Sequence, residues 1–140
     1  MAPCGPRPVL LLLLAACLAL ASGQLWYELN FLFNKNHVNY PKTSAPDPST
    51  YCNLMMQNRG IYLNMVNTFI HAPVSTINSV CTAGGTPKKG GLRVSTATFN
   101  VTQCVFQPGP WSISYLGTAK AQKVTVGCWN GVPVYLLKEV

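Results

Sequence analysis

The cysteines restrict this chain before any periodicity is read. Six occur in 140 residues, at positions 4, 17, 52, 81, 104 and 128. The first two fall in a segment that reads as a cleaved export leader. Arg7 precedes thirteen uncharged, mostly Leu and Ala residues from Val9 to Ala21, and Ala19-Leu20-Ala21 or Ala21-Ser22-Gly23 supplies the small residues a signal peptidase needs. That run is shorter than the roughly 20 apolar residues a bilayer span requires. The expected organisation is therefore a leader over residues 1–23 and one domain over 24–140, exported and extracellular, with no stable membrane insertion. Cys52, Cys81, Cys104 and Cys128 remain. An even number in an oxidising compartment predicts two disulfides, with three pairings open. Zinc is the competing use, but no two of the four lie two to four residues apart, and His37 and His71 are distant from each other. No metal and no cofactor is expected.

Charge narrows the classes further. Lys and Arg number 10 against 3 Asp and Glu, a net of +7. Removal of Arg7 with the leader leaves nine cations and a net of +6. Charged residues are only 9% of the chain and hydrophobic ones 49%, which excludes a disordered or histone-like tail. The cations Lys35, Lys42, Arg59, Lys88, Lys89, Arg93, Lys120, Lys123 and Lys138 are scattered, so a solvated surface is the plain reading. They still predict weak, salt-sensitive attraction to RNA or anionic surfaces. A monomer is expected; a protein receptor, if the chain has one, cannot be read from the residues.

Leu29, Phe33 and His37 fall at i, i+4 and i+8 and predict a helix over 25–37 with His37 ending a buried stripe. Residues 41–48 read as a loop. Asp47 before Pro48 predicts an N-cap and first-turn proline for a second helix through Met55 and Met56. A third short helix runs from Pro73 or Val74 towards Cys81. Strands are expected over 65–71, 92–106, 111–116, 123–128 and 132–137, with Asn130-Gly131 closing the last two as a hairpin. Residues 84–91, with Pro87, Lys88 and Lys89, read as a mobile basic loop. Helices first and antiparallel strands afterwards make an α+β domain. Core packing is the plain reading for Trp26 and Trp111, and exposure is expected for Trp129 beside the turn.

Val66-Asn67-Thr68-Phe69-Ile70-His71, followed ten residues later by Cys81, resembles the signature of the pancreatic ribonuclease (ribonuclease A) superfamily. Phe33 with His37 resembles that family's N-terminal catalytic helix. Tyr51-Cys52-Asn53-Leu54-Met55-Met56 resembles its second helix, and Val132-Pro133-Val134 its last catalytic strand. The compact Cys128-Trp129-Asn130-Gly131-Val132 turn is closer to the angiogenin and non-mammalian leukocyte branch. The resemblance implies three short helices, a bent antiparallel sheet and the pairs Cys52–Cys104 and Cys81–Cys128. A further family disulfide is missing at both ends: its positions hold Leu63 and, by alignment, Ile113, which suggests a packed apolar pair in its place.

What the resemblance implies about chemistry is less complete. Cleavage of RNA needs a base for the 2′-hydroxyl, an acid for the leaving 5′-oxygen and a cation at the phosphate. His37 matches the base. Asn64 stands where the family has its catalytic lysine, and Tyr135 where it has its acid histidine. A phenol, ordinarily titrating near pH 10, is a poor proton donor at neutral pH. Thr68 matches the pyrimidine-contacting threonine, and Asn36 beside His37 is expected to touch substrate. His71 reads as structural. The expected protein is thus a secreted, cationic nucleic-acid- or partner-binding member with RNA cleavage lost or strongly impaired, in host defence or reproduction. A weakly active pyrimidine-preferring endoribonuclease using His37 and a membrane-active antimicrobial are the alternatives. A cation brought in from elsewhere, Lys138 for one, would undercut the loss. Asn100-Val101-Thr102 is a glycosylation sequon.

Overall fold

The computed structural model describes residues 6–19, 23–62 and 64–138; Leu63 and the cleavage positions around 20–22 lie outside them. Helix α1 (Pro6–Ala19) carries the leucine run, with Val9 to Leu14 exposed. Among the described residues no helix is long and apolar enough to cross a membrane. Helix α2 (Leu25–His37) turns Phe33 inward. Helix α3 (Pro48–Asn58) begins as the sequence predicts, with Asp47 Oδ1 accepting from the Thr50 amide at 2.7 Å just before Pro48. Strand β1 (Val66–Ile70), helix α4 (Val74–Asn78) and a 3-10 turn over Ser79–Cys81 follow. The remainder is β2 (Gly85–Lys88), β3 (Leu92–Ser95), β4 (Phe99–Gln107), β5 (Ser114–Gln122), β6 (Thr125–Trp129) and β7 (Val132–Leu136). Helices α2, α3 and α4 are the three expected in the domain, and α1 is the fourth.

The strands form two antiparallel sheets, β1-β4-β5 and β2-β3-β6-β7. Alternation along β1 explains how one strand serves two cores. Phe69 joins Tyr51, Cys52, Met55, Met56 and Cys104, whereas its neighbour Ile70 joins Phe33, Ile77, Val80, Val101 and Val126. Each core holds one disulfide at its margin or centre, Cys81–Cys128 for the second and Cys52–Cys104 for the first, the pairs the resemblance implies. Their separations of 47 and 52 residues are worth about 4 kcal/mol each in the chain-entropy account. Asn130 and Gly131 take φ of 53° and 77° in the β6–β7 turn, as the pair predicts.

Five expectations are corrected. The expected strand 92–106 breaks into β3 and β4, because Ser95 folds back on itself: its Oγ donates to the Ala97 carbonyl at 2.7 Å and accepts from the Val124 amide at 2.9 Å. The expected strand 111–116 begins only at Ser114, since Pro108 and Pro110 offer no N–H to a ladder, and it continues to Gln122. That continuation passes Gly117, where a Cβ would lie 2.0 Å from the Pro48 carbonyl oxygen, so only glycine lets β5 pack under α3. Residues 84–91 are not a loose loop. Gly85 to Lys88 pair with Leu92 to Ser95, and Arg93 donates to the carbonyls of Val80, Thr82 and Gly85 at 2.7–2.9 Å. Arg93 is therefore a structural bridge rather than a solvated cation, while Lys88 and Lys89 stay exposed. Trp111 is not a core residue either, being 94% exposed.

Candidate functional site

A groove of about 200 Å³ opens between α2, the turn before β1, and β7. Asn30 Nδ2 donates to the Pro133 carbonyl at 2.8 Å, which pins the helix to β7, and Asn67 Nδ2 donates to the Asn36 carbonyl at 2.9 Å, which pins its end to β1. These two amides set the width of the groove. His37, Asn36, Asn64, Tyr135 and Lys138 all line it. Residues separated by about a hundred positions in sequence are thus brought to one wall, as the order of the matching stretches implied.

His37 is held by its Nδ1, 3.0 Å from the Thr68 carbonyl oxygen. A carbonyl only accepts, so Nδ1 carries the proton and Nε2 presents its lone pair. Burial lowers the His37 pKa; the Thr68 carbonyl pulls it back up, and the positive charge of Lys138 lowers it again. The ring is therefore neutral and able to accept a proton. Asn64 is exposed, and the hydrogen bonds described for it are made by its backbone, its carbonyl accepting from the Tyr115 hydroxyl at 2.9 Å. The same hydroxyl bonds the Tyr62 carbonyl. Tyr115 thereby ties the turn before β1 to β5. Ile113 is 54% exposed; the apolar pair expected of it with Leu63 lies outside the described residues, and the fastening seen between this turn and β5 is Tyr115.

Tyr135 sits on β7 opposite Gly127 and is 48% exposed. Its hydroxyl makes none of the described hydrogen bonds. Thr68 is 8% exposed and is not part of the groove lining; its contribution there is the carbonyl that fixes His37. Asn36 lines the groove with Oδ1 buried and without a hydrogen-bond partner. His71 lies elsewhere. Its Nδ1 donates to the Asn39 carbonyl at 2.9 Å, its Nε2 accepts from Thr102 Oγ1 at 2.8 Å, and its ring stands edge-on to Tyr51. Asn30 and Asn67, the groove's positioning residues, carry no sequence signal as ligands. Asn30 does share the helical face of Phe33 and His37 at i+3 and i+7. No group of three or more metal-ligating side chains occurs among the described residues.

A disulfide-braced α+β domain with one proton-accepting imidazole in a groove between its first domain helix and its last strand is the class defined by these features. Residues 30–137 match the model of the pancreatic ribonuclease family. The chain is 43% identical over 113 residues to a ribonuclease of Chelydra serpentina, covering 77% of this chain and 95% of that protein. It is 36% identical over 130 residues to an angiogenin of Gallus gallus, covering 90% and 89%. Among solved structures, the green turtle egg white ribonuclease superposes with a TM-score of 0.75 at 40% identity, over 80% of this chain and 98% of that one. This protein belongs to the pancreatic ribonuclease family.

Proposed function

We propose that this protein is exported after loss of residues 1–23 and acts as an RNA- and phosphate-binding member of its family in which cleavage is strongly reduced. The observation that carries the reading is the composition of the groove: one neutral imidazole, His37, shares it with a phenol, Tyr135, the amides Asn36, Asn64 and Asn67, and a single ammonium, Lys138, that does not stand at the catalytic-lysine position. A base is available to take the 2′-hydroxyl proton. The group that would return a proton to the leaving oxygen is mismatched, and general acid catalysis is typically worth about 10²–10⁴-fold. Asn64 donates a hydrogen bond but no charge, and loss of a preorganised charge stabiliser costs about 10²–10³-fold. These losses do not multiply simply, yet either one alone removes most turnover. The egg white origin of the similar turtle ribonuclease supports an extracellular location.

Lys138 supports a second reading. It lines the same groove and acts electrostatically on His37. As a cation at the end of β7, it favours retained phosphate binding and a residual endonuclease activity over an empty cleft. Turnover of single-stranded RNA separates the readings. Against the green turtle ribonuclease under identical conditions, this protein is expected to be slower by at least about 10²-fold. Turnover within about tenfold, a barrier difference of 1.4 kcal/mol, and abolished by His37→Ala, overturns the proposal.

A further inference from the structure

A second, larger groove of about 520 Å³, sharing no lining residue with the first, lies between the segment after α2 and strands β4 and β5. Its walls include Tyr40, Lys42, Asn100, Lys120 and Ala121. The chemistry of RNA cleavage uses none of them. Asn100 is the acceptor of the sequon Asn100-Val101-Thr102, it is exposed, and it lines this groove. Tyr40, 57% exposed, lines the same groove and offers it an aromatic surface. The apolar faces of sugar rings pack on such surfaces, while their hydroxyls bond to nearby polar groups such as Lys120.

We propose that Asn100 carries an N-linked glycan whose first N-acetylglucosamine lies in this groove against Tyr40. The inference rests on the export part of the reading above. The co-reactant is a lipid pyrophosphate-linked oligosaccharide. Asn100 Nδ2 forms a bond to C1 of the first sugar and loses one proton, the C1–oxygen bond to phosphate breaks, and the lipid pyrophosphate departs. The fold dictates when this happens. Asn100 opposes Ala121 in β4, its carbonyl accepts from the His71 amide at 2.9 Å, and Thr102 is fully buried with its hydroxyl on His71. A sequon zippered on both sides cannot bend into an enzyme, so transfer precedes the closing of β4.

The test is expression of the full chain, leader included, in a secreting animal cell line, followed by mass spectrometry before and after peptide-N-glycosidase. Expected is a secreted protein whose mass falls on digestion, with Asn100 converted to aspartate, and Asn100→Gln secreted without the glycan. A chain retained in the cell fails the export reading instead, and the same chain behind an unrelated efficient leader then tests the site alone. Secreted protein with unmodified Asn100 overturns the proposal. For the seat of the sugar, NMR contacts between the proximal N-acetyl group and the Tyr40 ring are expected, and Tyr40→Ala should keep the glycan while losing sugar order. A glycan with no such contacts overturns the seating. Thr102→Ser keeps both the sequon and the His71 bond and should retain modification, whereas loss of the glycan in that variant counts against the sequon as the cause.

Discussion

His37 and His71 begin alike and end differently. Each ring gives its Nδ1 proton to a backbone carbonyl, of Thr68 at 3.0 Å and of Asn39 at 2.9 Å, and burial is the first cause of a lowered pKa in both. The difference is at Nε2. That atom of His71 is capped by the Thr102 hydroxyl, whereas His37 sits in the wall of an open groove. The same residue type with the same tautomer is structural in one place and chemically available in the other, so the second nitrogen decides the role.

The comparison breaks most visibly by giving His37 its missing partners. The double replacement Asn64→Lys with Tyr135→His should raise turnover on single-stranded RNA by about 10²-fold or more, since it restores an acid near neutrality and a cation together. Continued silence of a folded double variant would mean that the groove, not the chemistry of its residues, is at fault. Stability should separate the two rings next. His71→Ala takes the ring partner from two groups at once, the carbonyl of buried Asn39 and the hydroxyl of fully buried Thr102, at a cost of about 1–3 kcal/mol, seen as a drop in Tm of roughly 4–10 °C. His37→Ala opens onto water and should cost about 1 kcal/mol or less by urea unfolding.

Acid should act on both rings through the unfolded chain. Their folded pKa values lie below the ordinary 6.5, so the unfolded chain binds more protons than the native one as pH falls below that value. Their contribution is fully present above about pH 6.5 and is lost as pH falls from there towards the folded pKa values. Urea midpoints measured from pH 7 down to about pH 5 should therefore decline, less so in His71→Ala. A flat profile would mean that the rings take up protons without strain. The smallest effect is expected at Lys138. Lys138→Ala should weaken binding of a short single-stranded RNA about 3–10-fold and reduce the slope of log affinity against log salt by about 0.7. An unchanged slope would remove Lys138 from the phosphate-binding reading.

The helices were legible because their signals are local. The i, i+4, i+8 stripe of Leu29, Phe33 and His37 and the Asp47-Pro48 cap need no knowledge of the rest of the chain. The strands were less so. Whether Gly117 interrupts or continues β5 depends on how close Pro48 comes, and whether Ser95 bends the chain depends on Val124; both facts belong to tertiary packing. Arg93 looked like surface charge because sequence does not show which carbonyls lie within its reach. At the groove, the order of the matching stretches brought His37, Asn64 and Tyr135 together. The pinning amides Asn30 and Asn67 act through backbone carbonyls that carry no residue identity, and so they remained unread.

The Tyr115 hydroxyl, seated on the carbonyls of Tyr62 and Asn64, gives the groove a clasp that is not made of sulfur. Thiols that open both cystines would leave this fastening chemically untouched. Its release is a matter of thermal opening, and replacing one oxygen atom in Tyr115→Phe would undo it.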